Sequence, residues 1–132
     1  MTFQTGVKRV ENLDVEAAAR NATGERAAVY VLPNSGIADR ESLFDAVRAS
    51  LPLDPPLIGT RSWDALSDSL WGGIDALDSS RVVIVWPNSA EMERVSPDAY
   101  KMALDVFADV AASVGDPAAT DGSPKEVGIL IG

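Results

Sequence analysis

The chain has 132 residues, with 20 acidic against 11 basic side chains for a formal net charge of −9, and it contains neither Cys nor His. A length of this order makes one domain the default and lets folding bury roughly two-thirds of the surface that the unfolded chain exposes. Without Cys there are no disulfides, thiolate nucleophiles or Cys-ligated metals. Without His the commonest general base, the commonest metal ligand and the Ser–His and Cys–His nucleophile pairs are gone.

An excess of negative charge repels nucleic-acid phosphates and anionic membranes and attracts basic surfaces. Neither nucleic acid nor membrane is therefore expected as a partner. No apolar run approaches the ~18 residues of a membrane-spanning helix, and Met1 to Arg20 lacks the apolar core of a signal peptide. The expectation is a cytoplasmic protein without metal or cofactor.

In chain order, residues 1–26 read as an N-terminal extension holding one short helix, Asp14 to Ala22, Ala-rich with acid at its front and closed by Gly24. The continuous apolar run Ala27 to Leu32 predicts a strand buried on both faces, ended by Pro33-Asn-Ser-Gly36. Asp39 caps the next helix, with Ser42 where a capping box would hold Glu or Gln, and Leu43, Phe44, Val47 and Leu51 form its inward stripe. Pro52 stops it, and a loop with two adjacent prolines and a glycine leads to Arg61. Ser62 or Thr60 caps a helix from Trp63 to about Trp71, which Gly72-Gly73 weakens or ends, with a further turn from Ile74 to Leu77.

Val82-Val-Ile-Val-Trp86 is the clearest strand. Ser96-Pro97 opens a long helix whose apolar face is Tyr100, Ala103, Leu104, Phe107, Val110 and Ala111, and Gly115 ends it. Asp116 to Lys125 reads as a mobile polar loop and Val127 to Ile131 as a last strand. Strands separated by helices imply parallel pairing through right-handed crossovers. The expected fold is α/β: one domain, residues 27–132, with a small three-stranded parallel sheet packed with helices.

The informative stretch is Trp63-Asp-Ala-Leu-Ser-Asp-Ser-Leu-Trp71. On a helix Trp63, Leu66 and Leu70 fall on one side, while Asp64, Asp68 and Trp71 fall on the other, and Asp75 joins them if the helix passes the glycines. Like charges four apart cost about 0.2–0.5 kcal/mol, and an exposed Trp adds nothing to a core. Two acids beside an exposed aromatic suit a surface for a basic cleft. The plain alternative is a pair of solvated helix acids. A catalytic carboxylate dyad would need a desolvated cleft that a helix surface lacks, and neither common glycine-rich phosphate loop occurs.

Gly59, then Trp63-Asp-Ala-Leu66, then Asp68-Ser-Leu70 resembles the barstar family's helix after a glycine-containing loop, and Val82 to Trp86 is similar to that family's central strand. The resemblance spans about residues 27 to 131 and implies a barstar-like fold and an intracellular inhibitor of a small, barnase-like, guanyl-type ribonuclease, not an enzyme. It implies that Asp68 enters the ribonuclease active site in place of a substrate phosphate and that Asp64 also faces the enzyme. Ser67, Trp71 and Asp75 complete the implied contact face, and the preceding loop, Leu57, Ile58, Gly59, Thr60 and Arg61, packs on the enzyme surface. The implied partner is a secreted ribonuclease with a basic active-site cleft, bound 1:1 by a monomeric inhibitor. The chain departs from the family at Leu57 and Ile58, where aromatic residues are usual, at one extra residue between Gly59 and Trp63, and at Ser62 in place of Asn. Those departures leave open an immunity or antitoxin protein of the same fold against a different nuclease. A parallel sheet alone would also suit a small enzyme or nucleotide-binding regulator.

Overall fold

Strands β1 (Gly6–Arg9), β2 (Ala28–Val31), β3 (Arg81–Trp86) and β4 (Glu126–Ile131) form one parallel sheet in the order β1-β4-β3-β2. The computed structural model describes residues 3–59 and 62–132. Its helices are α1 (Val15–Gly24), α2 (Arg40–Ser50), α3 (Trp63–Asp75), α4 (Ser89–Val95) and α5 (Pro97–Val114). The expected α/β class and the three expected strands are present. The count of three is corrected by β1, which runs beside β4 in the register Gly6↔Gly128 to Arg9↔Ile131. Its sequence, Gly-Val-Lys-Arg, offers one apolar residue and no alternation to read.

Side chains alternate across β3, so Val82, Ile84 and Trp86 enter the larger core while Val83 and Val85 enter a smaller one on the opposite face. Helices α2, α3 and α5 cover the first face, and α1 covers the second with Ala22 and the ring of Phe3. Cover on both faces is why β3 reads as an unbroken apolar run. Trp86 is fully buried, edge-to-face with Tyr100 at 5.7 Å and Phe107 at 6.1 Å. β2, expected to be buried on both faces, is the edge strand and only half-buried, with Val31 39% exposed. Periodicity reports covered faces and carries no sign of a missing neighbour.

Helix α4 has no counterpart in the sequence reading. It is seven residues long and buries only Ser89 and Met92, too little for a stripe. It serves as an anchor: Ser89 Oγ donates to Gly132 O (2.8 Å) and shares a hydrogen bond with Tyr100 Oη (3.0 Å), which accepts from Arg9 Nη2 of β1 (2.8 Å). The 116–125 loop, expected to be mobile, buries Thr120 and Lys125. Lys125 Nζ donates to the carbonyls of Leu77 (2.6 Å) and Ser79 (2.9 Å), just past the C-terminus of α3, where a cation is favoured.

At the start of α2 the capping box is complete, with Ser in the Glu position. Asp39 Oδ1 accepts from Ser42 N (2.8 Å) and Ser42 Oγ (2.7 Å), and Ser42 Oγ accepts from Asp39 N (3.0 Å). The hydrogen bond from the Ser42 backbone, and then that from its hydroxyl, hold the Asp39 carboxyl below its ordinary value of 3.8. A lowered carboxyl stabilises the fold above its unfolded-state value and loses that contribution as pH falls through the folded-state value. Asp39→Ala should therefore cost about 1 kcal/mol at neutral pH. The gap from wild type should narrow in acid, as checked by urea melts at both conditions.

Candidate functional site

Helix α3 starts at Ser62, whose hydroxyl accepts from Ala65 N at 3.4 Å. Leu66, Leu70 and Ile74, four apart, are fully buried, and Trp63 packs edge-to-face on Phe44 at 5.3 Å. The opposite side carries Asp64 and Asp68, both exposed, one turn apart.

The expectation that Gly72-Gly73 weakens or ends this helix is corrected, since α3 runs through both to Asp75. A Cβ on Gly72 would run into the carbonyl oxygen of Asp54, and one on Gly73 into that of Pro52. The two glycines let the 52–54 segment lie flush on the helix, where Asp54 N donates to Ser69 O at 2.9 Å. Continuation places the half-buried Asp75 seven residues beyond Asp68, on the same side of the helix.

Two other expected contact residues are placed differently. Trp71, read as facing out, is half-buried against the main core, and its Nε1 donates to Ser113 Oγ on α5 at 3.0 Å. Helix α5 rises on that flank of α3 and takes the indole. Leu57, read as a loop contact, is only 3% exposed and belongs to the core, with its carbonyl accepting from Arg48 Nε at 2.7 Å. Its neighbour Ile58 points the other way and is 82% exposed. Gly59 is exposed at φ +65°, in the left-handed region. Ser67 is half-buried beside Asp68. Thr60 and Arg61 lie outside the described residues.

The structure thus brings together Asp64, Asp68 and Asp75 on α3, with Ile58 and Gly59 in the segment leading to it. Helix α5 carries further exposed acids, which lie outside the expected contact residues. Asp98, Asp105 and Asp109 are exposed on α5 at spacings of seven and four, and Asp109 stands one turn before Ser113, the partner of Trp71. Counting acids at helical spacing along α5 would have found them. Among the described residues, the ion pairs are Arg9–Glu93, Arg48–Asp45 and Arg81–Glu126, and none engages an acid of this surface. The acids also form no cluster of three close enough to hold a metal, among the described residues. What remains is a row of carboxylates that only accept hydrogen bonds, on a helix whose inner side is fixed in the core. Such a row suits a basic partner. A cavity of about 470 Å³ lies elsewhere, between α1 and the sheet.

The family model described as Barstar (barnase inhibitor) matches residues 27–125. The chain belongs to the barstar family. The match starts just before β2, includes α3 and its preceding loop, and ends just before β4, so β1 and α1 lie outside it. No curated protein and no solved structure matches the chain significantly. Membership places the chain among inhibitors whose partners are barnase-type ribonucleases. Among the described residues no helix is long and apolar enough to cross a membrane.

The flush contact gives a test with opposed signs. Alanine at an unobstructed helical glycine raises stability by about 1 kcal/mol. Gly73→Ala should instead lower it by about 1–3 kcal/mol, because the Pro52 carbonyl has to move. Denaturant unfolding of the variant checks the sign.

Proposed function

We propose that this chain inhibits a small guanyl-type ribonuclease of the barnase kind by filling its active-site cleft with α3 and the loop before it. A single observation carries the reading. Asp64 and Asp68 stand exposed and, among the described residues, without an ion pair, on a helix held by three fully buried side chains, inside the segment that the barstar family model matches. A ribonuclease holds the phosphate of RNA with cationic side chains. A carboxylate delivered there accepts charge-assisted hydrogen bonds but offers no bond to cleave. Asp68 occupies the phosphate position, and Asp64, one turn earlier, meets a second cation at the edge of the cleft.

Gly59 and Ser67 lie against the enzyme wall, and Thr60 and Arg61 extend the loop contact. Asp75 and the acids of α5 add to the negative field that draws a basic enzyme in and makes association salt-dependent. The complex is 1:1, and the inhibitor is a monomer in the cytoplasm of a cell that secretes the enzyme. The inhibitory unit is residues 27–132, with β1 and α1 bracing its sheet. An inward Leu57 and an outward Ile58, where the family has aromatic residues, favour one second reading: immunity against a different nuclease toxin.

The test is an inhibition titration against a panel of purified barnase-type ribonucleases, barnase included, with wild type and Asp68→Ala. Wild type should inhibit at least one enzyme stoichiometrically, associating faster at low salt. Asp68→Ala should weaken that complex by about a hundredfold or more, a scale set by charge pairs measured in barnase–barstar rather than by this geometry. Its melting curve should match wild type. Absence of inhibition across the panel, or an equally potent variant, would overturn the reading.

A further inference from the structure

The cavity of about 470 Å³ between α1 and the sheet has the size of a small-ligand pocket, about 300–1,000 Å³. It lies on the sheet face opposite α3, and most of its walls come from the residues before 27, outside the family match. The sequence of α1 creates it. Asp14, Ala17, Ala18, Asn21, Ala22 and Glu25 line it and fall at helical spacing, so they form one stripe. The middle of that stripe is mostly alanine, too short to fill the space over Val83 and Leu130 of the sheet. Native interiors are normally filled.

The stripe is apolar along its middle and acidic at both ends. Asp14 caps the first turn of α1 and Glu25 follows the last, eleven residues on (25 − 14), or about 16 Å along the axis. Among the described residues neither acid enters an ion pair. The last turn of α1 holds no basic residue, so the negative pole of the helix adds to Glu25. Asn21, between the two acids, offers a carbonyl oxygen. Lys8 is the one cation among the described lining residues, and its Nζ donates to Gln4 Oε1 at 2.7 Å.

We infer that this cavity binds a linear polyamine, with its methylene segments along the alanines and an ammonium group at each acid. The shape and the charge select that class together. A compact metal cation would leave the alanines uncovered, and a fatty acid would bring its carboxylate to two others. The net charge of −9 favours a cation as well. Nothing in this inference depends on the inhibitor reading.

The experiment is calorimetric titration of the full chain with spermidine, beside putrescine, octanoate and magnesium chloride at equal ionic strength. Spermidine should bind 1:1 and more tightly than magnesium or putrescine, which is too short to reach both acids. Octanoate should not bind. An acidic protein attracts cations everywhere, so variants locate the site. Ala18→Leu fills the cavity and should weaken spermidine binding at least about tenfold. Glu25→Gln, and Asp14→Asn, which keeps a capping side chain, should each weaken it about twofold to fivefold. Lys8→Gln should tighten it about twofold by removing the opposing charge. Asp68→Ala, on the exposed face of α3, should bind spermidine as wild type does.

Melting curves accompany every variant, and if Ala18→Leu melts early the two charge-neutral variants decide. Unchanged affinity in both Glu25→Gln and Asp14→Asn, or no saturable spermidine binding, would overturn the inference. Affinity lost in Asp68→Ala but kept in Ala18→Leu would move the polyamine to α3 and overturn it too. Octanoate binding that Lys8→Gln abolishes would assign the cavity to an anion, with the same consequence.

Discussion

Where Gly72 and Gly73 offer bare backbone to the carbonyls of Asp54 and Pro52, a loop and a helix become one body. The same contact lets α3 run on to Asp75 and sets the 52–54 segment against Ser69. From there the Arg48 hydrogen bond to Leu57 and the buried Leu57 side chain hold the loop just before Ile58 and Gly59. The acids inherit their rigidity from Leu66, Leu70 and Ile74 beneath them. A surface held this way meets a partner with little reorganisation, which is the condition under which charge and shape complementarity turn into affinity.

The other half of the molecule keeps that body in place. Helix α3 packs against α5, and α5 packs on a sheet whose centre, β3 and β4, is covered on both faces. Lys125 closes the far end of α3, and the Arg9–Tyr100–Ser89–Gly132 chain of hydrogen bonds ties β1 to α4, α5 and the end of β4. These groups are remote from the acids, yet they determine how firmly the face is presented.

Much of this was legible in the residues, and the failures have specific causes. The run Val82 to Trp86 and the stripe on α5 announced themselves because packing on both faces or on one leaves a regular period. The two sides of α3 were separable for the same reason. The fate of Trp71 was not, because it sits between those sides and depends on where α5 passes, which spacing along α3 does not encode. Leu57 and Ile58 are neighbours in a loop with no period at all, so nothing local says which one turns inward. Intrinsic propensity makes Gly72-Gly73 a place where the helix weakens or ends, and a close tertiary approach overrides it. β1 and α4 bury too little of themselves to leave a pattern.

The parallel pairing of β1 with β4 has a bearing on how the molecule comes together. Gly6 meets Gly128 across a separation of 122 residues (128 − 6). Among the described residues β1 has no other strand neighbour, because it sits at the edge of the sheet. On the ribosome this short strand emerges early and has nowhere to dock until β4 has followed it out. Contacts so distant in sequence form late and slow the overall rate. The edge of the sheet therefore waits on the strand most distant from it in sequence, and until β4 is in place the sheet can hold only the β2–β3 pair beside the acidic helix.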